Sequence, residues 1–209
     1  MATTKARTDT RTRILDVALR LLRERGYGAT RVDDICAAAG VTKGAFFHHF
    51  DSKEALALAA VRHFGDGAAR LFASATFHEE NTPAGRILGY LALRKALLAG
   101  ALPDITCLAG TMVQEAYETH PAIRAACEET IAGHAETLVP DIAAALGVSG
   151  AEGEARARRL ALYTQAVIQG AFILAKAQGG AAIAGACIDE LSAHLASLFD
   201  TAKRKETKR

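Results

Sequence analysis

Apolar residues in this chain recur every three or four positions almost from end to end. No segment alternates apolar and polar residues long enough to make a persuasive strand. That spacing puts each apolar set on one side of a helix, so the core has to form by packing helix against helix. Hydrophobic residues make up 50% of the 209, and only 4 residues are proline, so core material is ample and interruptions are few. The fold class expected is all-α.

The stripe Ile14, Leu15, Ala18, Leu21 and Leu22 marks a first helix from Thr10, with Gly26 as its stop, after a loose basic arm at 1–8. Thr30 with Asp33 resembles a capping box for a short helix carrying Val32, Ile35, Cys36 and Ala39, broken at Gly40. A second short segment runs from Thr42 to Phe47. Ser52 then caps a longer helix through Leu56, Leu58 and Val61, which Gly65-Asp66-Gly67 would interrupt or end. Further helices are expected over about 83–99, 104–118, 121–146, 152–178 and 183–202. The composition shifts near residue 60, from short basic elements to long alanine-rich ones. This divides the chain into a head, 1–60, and a body, 61–209.

Charge follows the same division. Residues 1–62 carry 11 Lys and Arg against 7 Asp and Glu, a net +4, while 63–202 carry 9 against 15, a net −6. The tail 203–209 is again basic, 5 against 1. A basic head on an acidic body suits a polyanionic partner. Cys36, Cys107, Cys127 and Cys187 form no C-x-x-C pair, and neither a signal-peptide pattern nor an apolar run long enough to cross a membrane is read. The expectation is a cytoplasmic protein with reduced thiols and no membrane partner. The His48-His49 pair lacks an acidic or Cys partner at i+4 spacing, so no metal and no cofactor are assigned.

The segment Thr30–Leu56 carries the chemistry. Two turns of helix, a glycine turn and a second short helix form a helix-turn-helix, whose second helix enters the major groove of DNA. Ala37, Ala38, Ala39 and Gly40 let the two helices cross closely, and Val41, Phe46 and Phe50 anchor the second from behind. Thr42, Lys43, Gly44, Phe47 and His48 are left facing outward. Thr42 suits a phosphate oxygen, Lys43 a phosphate or guanine edge, and Gly44 a close approach.

The strings ATRVDDIC (29–36) and AAGVTKGAFFHHFDSKEAL (38–56) resemble the tetracycline-repressor (TetR) family of bacterial regulators. The motif resemblance covers about residues 10–60, and the rest matches only in helix count and length. It implies a three-helix DNA-binding head on a helical body that dimerises and binds ligands, and a function as a repressor released from double-stranded operator DNA by a small hydrophobic or reactive effector. It also implies backbone contacts from Thr30 and Thr42, base-edge approach by Lys43 and His48, and a phosphate contact from Lys53; Arg31 completes the candidate set. Phe47 departs from the family's usual tyrosine and lacks the hydroxyl for a phosphate contact.

The last two long helices present Tyr163, Ala166, Val167, Gly170, Ile173 and Leu174 on one side and Ile183, Cys187, Leu191, His194, Leu195 and Leu198 on the other, which suits a four-helix homodimer interface. Polar groups on otherwise apolar faces suggest a ligand pocket lined by Cys107, Met112, Gln114, Tyr117, His134 and Tyr163. Cys107, read as lying in the first turn of a helix begun at Pro103-Asp104, is either a redox or electrophile sensor or core filling. ITCLAGTMVQEA (105–116) resembles a subset of the family with a cysteine at that position. No catalytic motif is found, so an enzyme is not expected. The alternatives are a helical DNA-binding protein without an effector, or a helical enzyme.

Overall fold

The computed structural model describes residues 9–206; the arm expected at 1–8 lies outside them. Those residues form eleven α-helices and a 3-10 turn, with no strand among them, as the apolar periodicity requires. By contact the chain makes two compact units. The first contains the described residues up to Ala68 together with Leu108–Cys127, and the second contains Ala69–Cys107 and the residues from Glu128 onward.

In the first unit, α1 (Thr10–Ala29) buries Ile14, Leu15, Ala18, Leu21 and Leu22, the stripe read from the sequence. Gly26 breaks the helical path at φ 82 and ψ 177, and helical residues resume for a short stretch to Ala29. Only glycine fits there, because the conformation is left-handed and an added Cβ would overlap the Glu115 carboxylate. α2 (Val32–Ala39) and α3 (Lys43–His49) follow, then α4 (Lys53–Ala73), whose start is capped by Ser52 Oγ accepting the Ala55 N–H at 3.0 Å. The break expected at Gly65–Gly67 does not occur. Neither glycine takes a positive φ, and the helix continues to Ala73. α7 (Leu108–Ala116) packs against α1 and buries Leu108, Ala109, Met112 and Ala116.

In the second unit, a 3-10 turn (Thr76–Glu79) leads to α5 (Pro83–Ala96), which Thr82 caps by accepting the Gly85 N–H at 3.0 Å. α6 (Leu102–Ile105) is a single turn. The expected 121–146 helix is two, α8 (Pro121–Glu136) and α9 (Val139–Ala145), interrupted at Thr137-Leu138. α10 (Gly150–Gln178) and α11 (Ala182–Glu206) pack against each other, with Ala171, Ala175 and Ala184 in one buried cluster between them. Small side chains there let the backbones approach. Both helices are long and apolar enough, by length and composition, to cross a bilayer, which corrects the sequence expectation that no such run exists. Here each has a packed side: Ala161, Ile168 and Phe172 on α10, and Ile188, Leu191, Leu195 and Phe199 on α11, are buried as in a helix pair at the core of a globular body.

Candidate nucleic-acid interface

α2 ends where Gly40 adopts φ 61 and ψ 44, and the N–H groups of Gly40 and Val41 close back on the carbonyls of Ala37 at 3.2 Å and Cys36 at 3.0 Å. This left-handed cap turns the chain within three residues. Thr42 then opens α3, its Oγ1 accepting the Ala45 N–H at 3.1 Å. Phe46 and Phe50 are buried, their ring centroids 5.9 Å apart, and they seat α3 on the unit. Thr42, Lys43, Gly44, Phe47 and His48 are all exposed, while His49 is half-buried. Phe47 has 50% of its surface open, although apolar rings are normally sequestered.

Gly44 is the informative residue of this surface. It sits in a helix without a positive φ, and a Cβ there would meet only Thr42 Oγ1, at 3.8 Å. Nothing inside the fold requires glycine, which in a helix costs roughly 0.5–1 kcal/mol relative to alanine. What its missing side chain leaves free is space on the outer face. Lys43 Nζ rests 2.8 Å from Asp33 Oδ1, with both side chains at least half exposed. The hydrogen bond from Lys43 is the main reason the Asp33 carboxyl is held below its usual range. An exposed pair of this kind is weakly held, and a phosphate can take the place of the carboxylate.

Three other candidates are engaged differently. Thr30 is fully buried and its hydroxyl donates to Gly26 O at 2.6 Å, so that hydroxyl is turned away from any phosphate. Arg31 is exposed; its backbone N–H donates to Asp34 Oδ2 at 3.3 Å, which makes Arg31 and Asp34, rather than Thr30 and Asp33, the pair closing the start of α2. Lys53 Nζ donates to Tyr27 O at 2.8 Å and Thr30 O at 3.0 Å, and lies 4.2 Å from the centre of the Tyr27 ring. It therefore tethers the carbonyls at the end of α1. Partial burial lowers its pKa, and the Glu115 charge opposes that shift. Sequence reading missed Glu115 as a part of this unit. Its Oε2 accepts the Gly28 N–H at 2.8 Å and so clasps α7 to the end of α1. The paired Gly26 and Gly28 were the only signal for it.

The candidate ligand residues divide between the units. In the first, Met112 is buried, Gln114 donates to Gly110 O on its own helix, and Tyr117 is 55% exposed. In the second, Cys107 is half-buried, His134 bonds Tyr90, and Tyr163 is exposed beside His194, their rings 5.9 Å apart. Thr106 and Cys107 separate α6 from α7. Cys107 therefore directly precedes a helix, rather than lying in the first turn of one begun at Pro103.

Residues 14–60 match the model for bacterial regulatory proteins of the tetR family, and residues 90–183 match that for the C-terminal domain of LmrA/YxaF-like transcriptional regulators. The chain belongs to the TetR family. Among curated TetR-like relatives, it is 46% identical over 63 residues to the HTH-type transcriptional repressor KstR2 of Rhodococcus jostii, covering 30% of this chain and 31% of that protein. It is 32% identical over 119 residues to the HTH-type transcriptional repressor DhaR of a Mycobacterium species, covering 57% and 58%. The chain thus spans between about a third and three fifths of these relatives. A regulatory protein TetR from Rhodobacter sphaeroides superimposes with a TM-score of 0.75 at 24% identity, covering 88% of this chain and 98% of that one, a likeness of fold.

Proposed function

We propose that this TetR-family protein is a transcriptional repressor that binds palindromic operator DNA as a homodimer and lets go when a small molecule occupies its second unit. The observation that carries the reading is the outer face of α3, where Thr42, Lys43, Gly44, Phe47 and His48 stand exposed around a glycine the fold itself does not need. Thr42 and Lys43 serve phosphates or a guanine edge, and Phe47 offers apolar contact to a thymine methyl. The family models and the repressors among its relatives support the same class of activity.

One helix-turn-helix reads a single half-site, and two half-sites about 34–36 Å apart call for a two-fold pair. On α10, Leu162, Tyr163, Ala166, Ile173 and Leu174 are exposed at helical spacing, and a Cβ on Gly170 would meet nothing. His194 of α11 is exposed beside Tyr163, whereas Leu191 and Leu195 are buried within the protomer and serve its core. This apolar strip is the surface assigned to the partner copy.

The test is fluorescence anisotropy on operator sequences selected from a random duplex pool. Selection of a palindrome is expected, with affinity falling steeply as salt rises. Lys43→Ala should cost about 1–3 kcal/mol of operator binding. A pool that yields no enriched palindrome, or a Thr42→Ala/Lys43→Ala double variant with unchanged affinity, would overturn the assignment of α3.

A further inference from the structure

The second unit contains a cation that its described residues leave without a counter-ion. Arg86 pairs with Asp141, Lys95 with Asp189 and Arg158 with Glu136, each at 2.8 Å or less. Arg94 has no carboxylate partner among the described residues. Its guanidinium lies over the rings of Phe72 and Tyr90, 5.1 and 5.7 Å from their centroids. Among the described residues its one hydrogen bond, from Nη2 to Gln165 Oε1, is stretched to 3.4 Å, and its buried Nε has no partner. A guanidinium N–H shut off from both water and an acceptor is costly, and an anion reaching the remaining N–H groups of the half-buried side chain would offset the cost.

The groups behind Arg94 are arranged so that none can neutralise it. Arg94 only donates, so Gln165 must turn Oε1 toward it and Nε2 toward Tyr90, whose hydroxyl accepts at 2.9 Å. The Tyr90 hydroxyl is also hydrogen-bonded to His134 Nε2 at 3.0 Å, so Gln165, Tyr90 and His134 form one connected cluster behind the cation. Burial first, and the Arg94 charge second, push the His134 pKa down to about 4, in keeping with a ring that stays neutral. Phe72 stacks 4.6 Å from His134, and Phe77 lies 5.9 Å from Tyr90, so the cation is framed by aromatic carbon. A cation with no carboxylate partner among the described residues, held in aromatic surroundings, selects one chemistry: a carboxylate head on an apolar body.

We propose that Arg94 anchors a binding site for a small organic carboxylate with an aromatic or alkyl body, and that this class of compound is the effector. The binding stands on the second unit alone; its role as effector rests on the repressor reading. Isothermal titration of the full chain with benzoate and octanoate, against benzamide and octanamide, tests it. The carboxylates should bind about tenfold or more tighter than their amides, the difference expected for one charge-assisted hydrogen bond in a partly buried site. Arg94→Gln should erase that preference. Gln165→Glu supplies an internal carboxylate beside Arg94 and should erase it too, so the result does not hinge on one variant folding. Equal affinities for acids and amides overturn the site. So does a preference that survives both substitutions, or a failure of either acid to bind at millimolar concentration, the result expected if a water alone satisfies Arg94. Operator binding by the unliganded protein, measured separately, judges the repressor reading. Carboxylate binding that leaves operator affinity unchanged overturns the effector assignment and leaves the site standing.

Discussion

Replacing Gly44 by alanine separates what the fold needs from what its outer surface does. The added methyl would meet only Thr42 Oγ1 at 3.8 Å, an ordinary van der Waals distance, on a residue without a positive φ. Alanine also restricts the unfolded chain and is the better helix former, so Gly44→Ala should raise stability by roughly 0.5–1 kcal/mol. For a protein of this size that is a rise in Tm of about 1–4 °C. Bound DNA meets the same methyl from the other side. A methyl forced into a packed contact costs about 1–3 kcal/mol, so operator affinity should fall by roughly 5- to 150-fold. Gly40→Ala is the control. It too has open space around it, but its φ of 61 is strained for any side chain, and a loss of about 1–2 kcal/mol is expected. Calorimetry without DNA gives the first quantity and operator anisotropy the second. A less stable Gly44→Ala protein, or a more stable one that binds operator as well as before, would refute the placement of Gly44 at the interface.

Stability should also depend on His134. Its folded pKa of about 4 lies below the ordinary 6.5, so the unfolded chain takes up a proton that the folded chain refuses, and stability falls as pH drops from 6.5 toward 4. Urea titrations of the wild type and His134→Gln should differ in their pH 7 to pH 5 change by roughly 2 kcal/mol, and parallel curves would contradict the burial argument. Lys53→Met removes two hydrogen bonds to the carbonyls of Tyr27 and Thr30 and should cost about 1–3 kcal/mol of stability; weaker operator binding at unchanged stability would return Lys53 to the phosphate role that family resemblance suggests. Ile173→Asp places a charge in the middle of the exposed apolar strip of α10, and sedimentation should find a monomer.

The sequence alone determined the all-helical class and placed Phe46 and Phe50 in the core. Both follow from spacing: a 3.6-residue period assigns sides to a helix, and two aromatic residues four apart on one side are buried together. Helix breaks were legible where glycine had to take a positive φ, at Gly26 and Gly40, and misread at Gly65–Gly67, because a glycine in helical conformation leaves the same letter in the sequence as one in a turn. Tertiary structure alone decided which polar groups are already engaged. Lys53 looks like a DNA contact by position, yet its ammonium can tether the carbonyls of Tyr27 and Thr30 only once α1 has ended beside it. Glu115, 87 residues from Gly28, and Arg94, 71 from Gln165, depend on partners distant in the chain. Periodicity says which way a side chain faces along its own helix. What it meets there is set by packing between helices, which is why the unpaired charge of Arg94 could be found only in the folded protein.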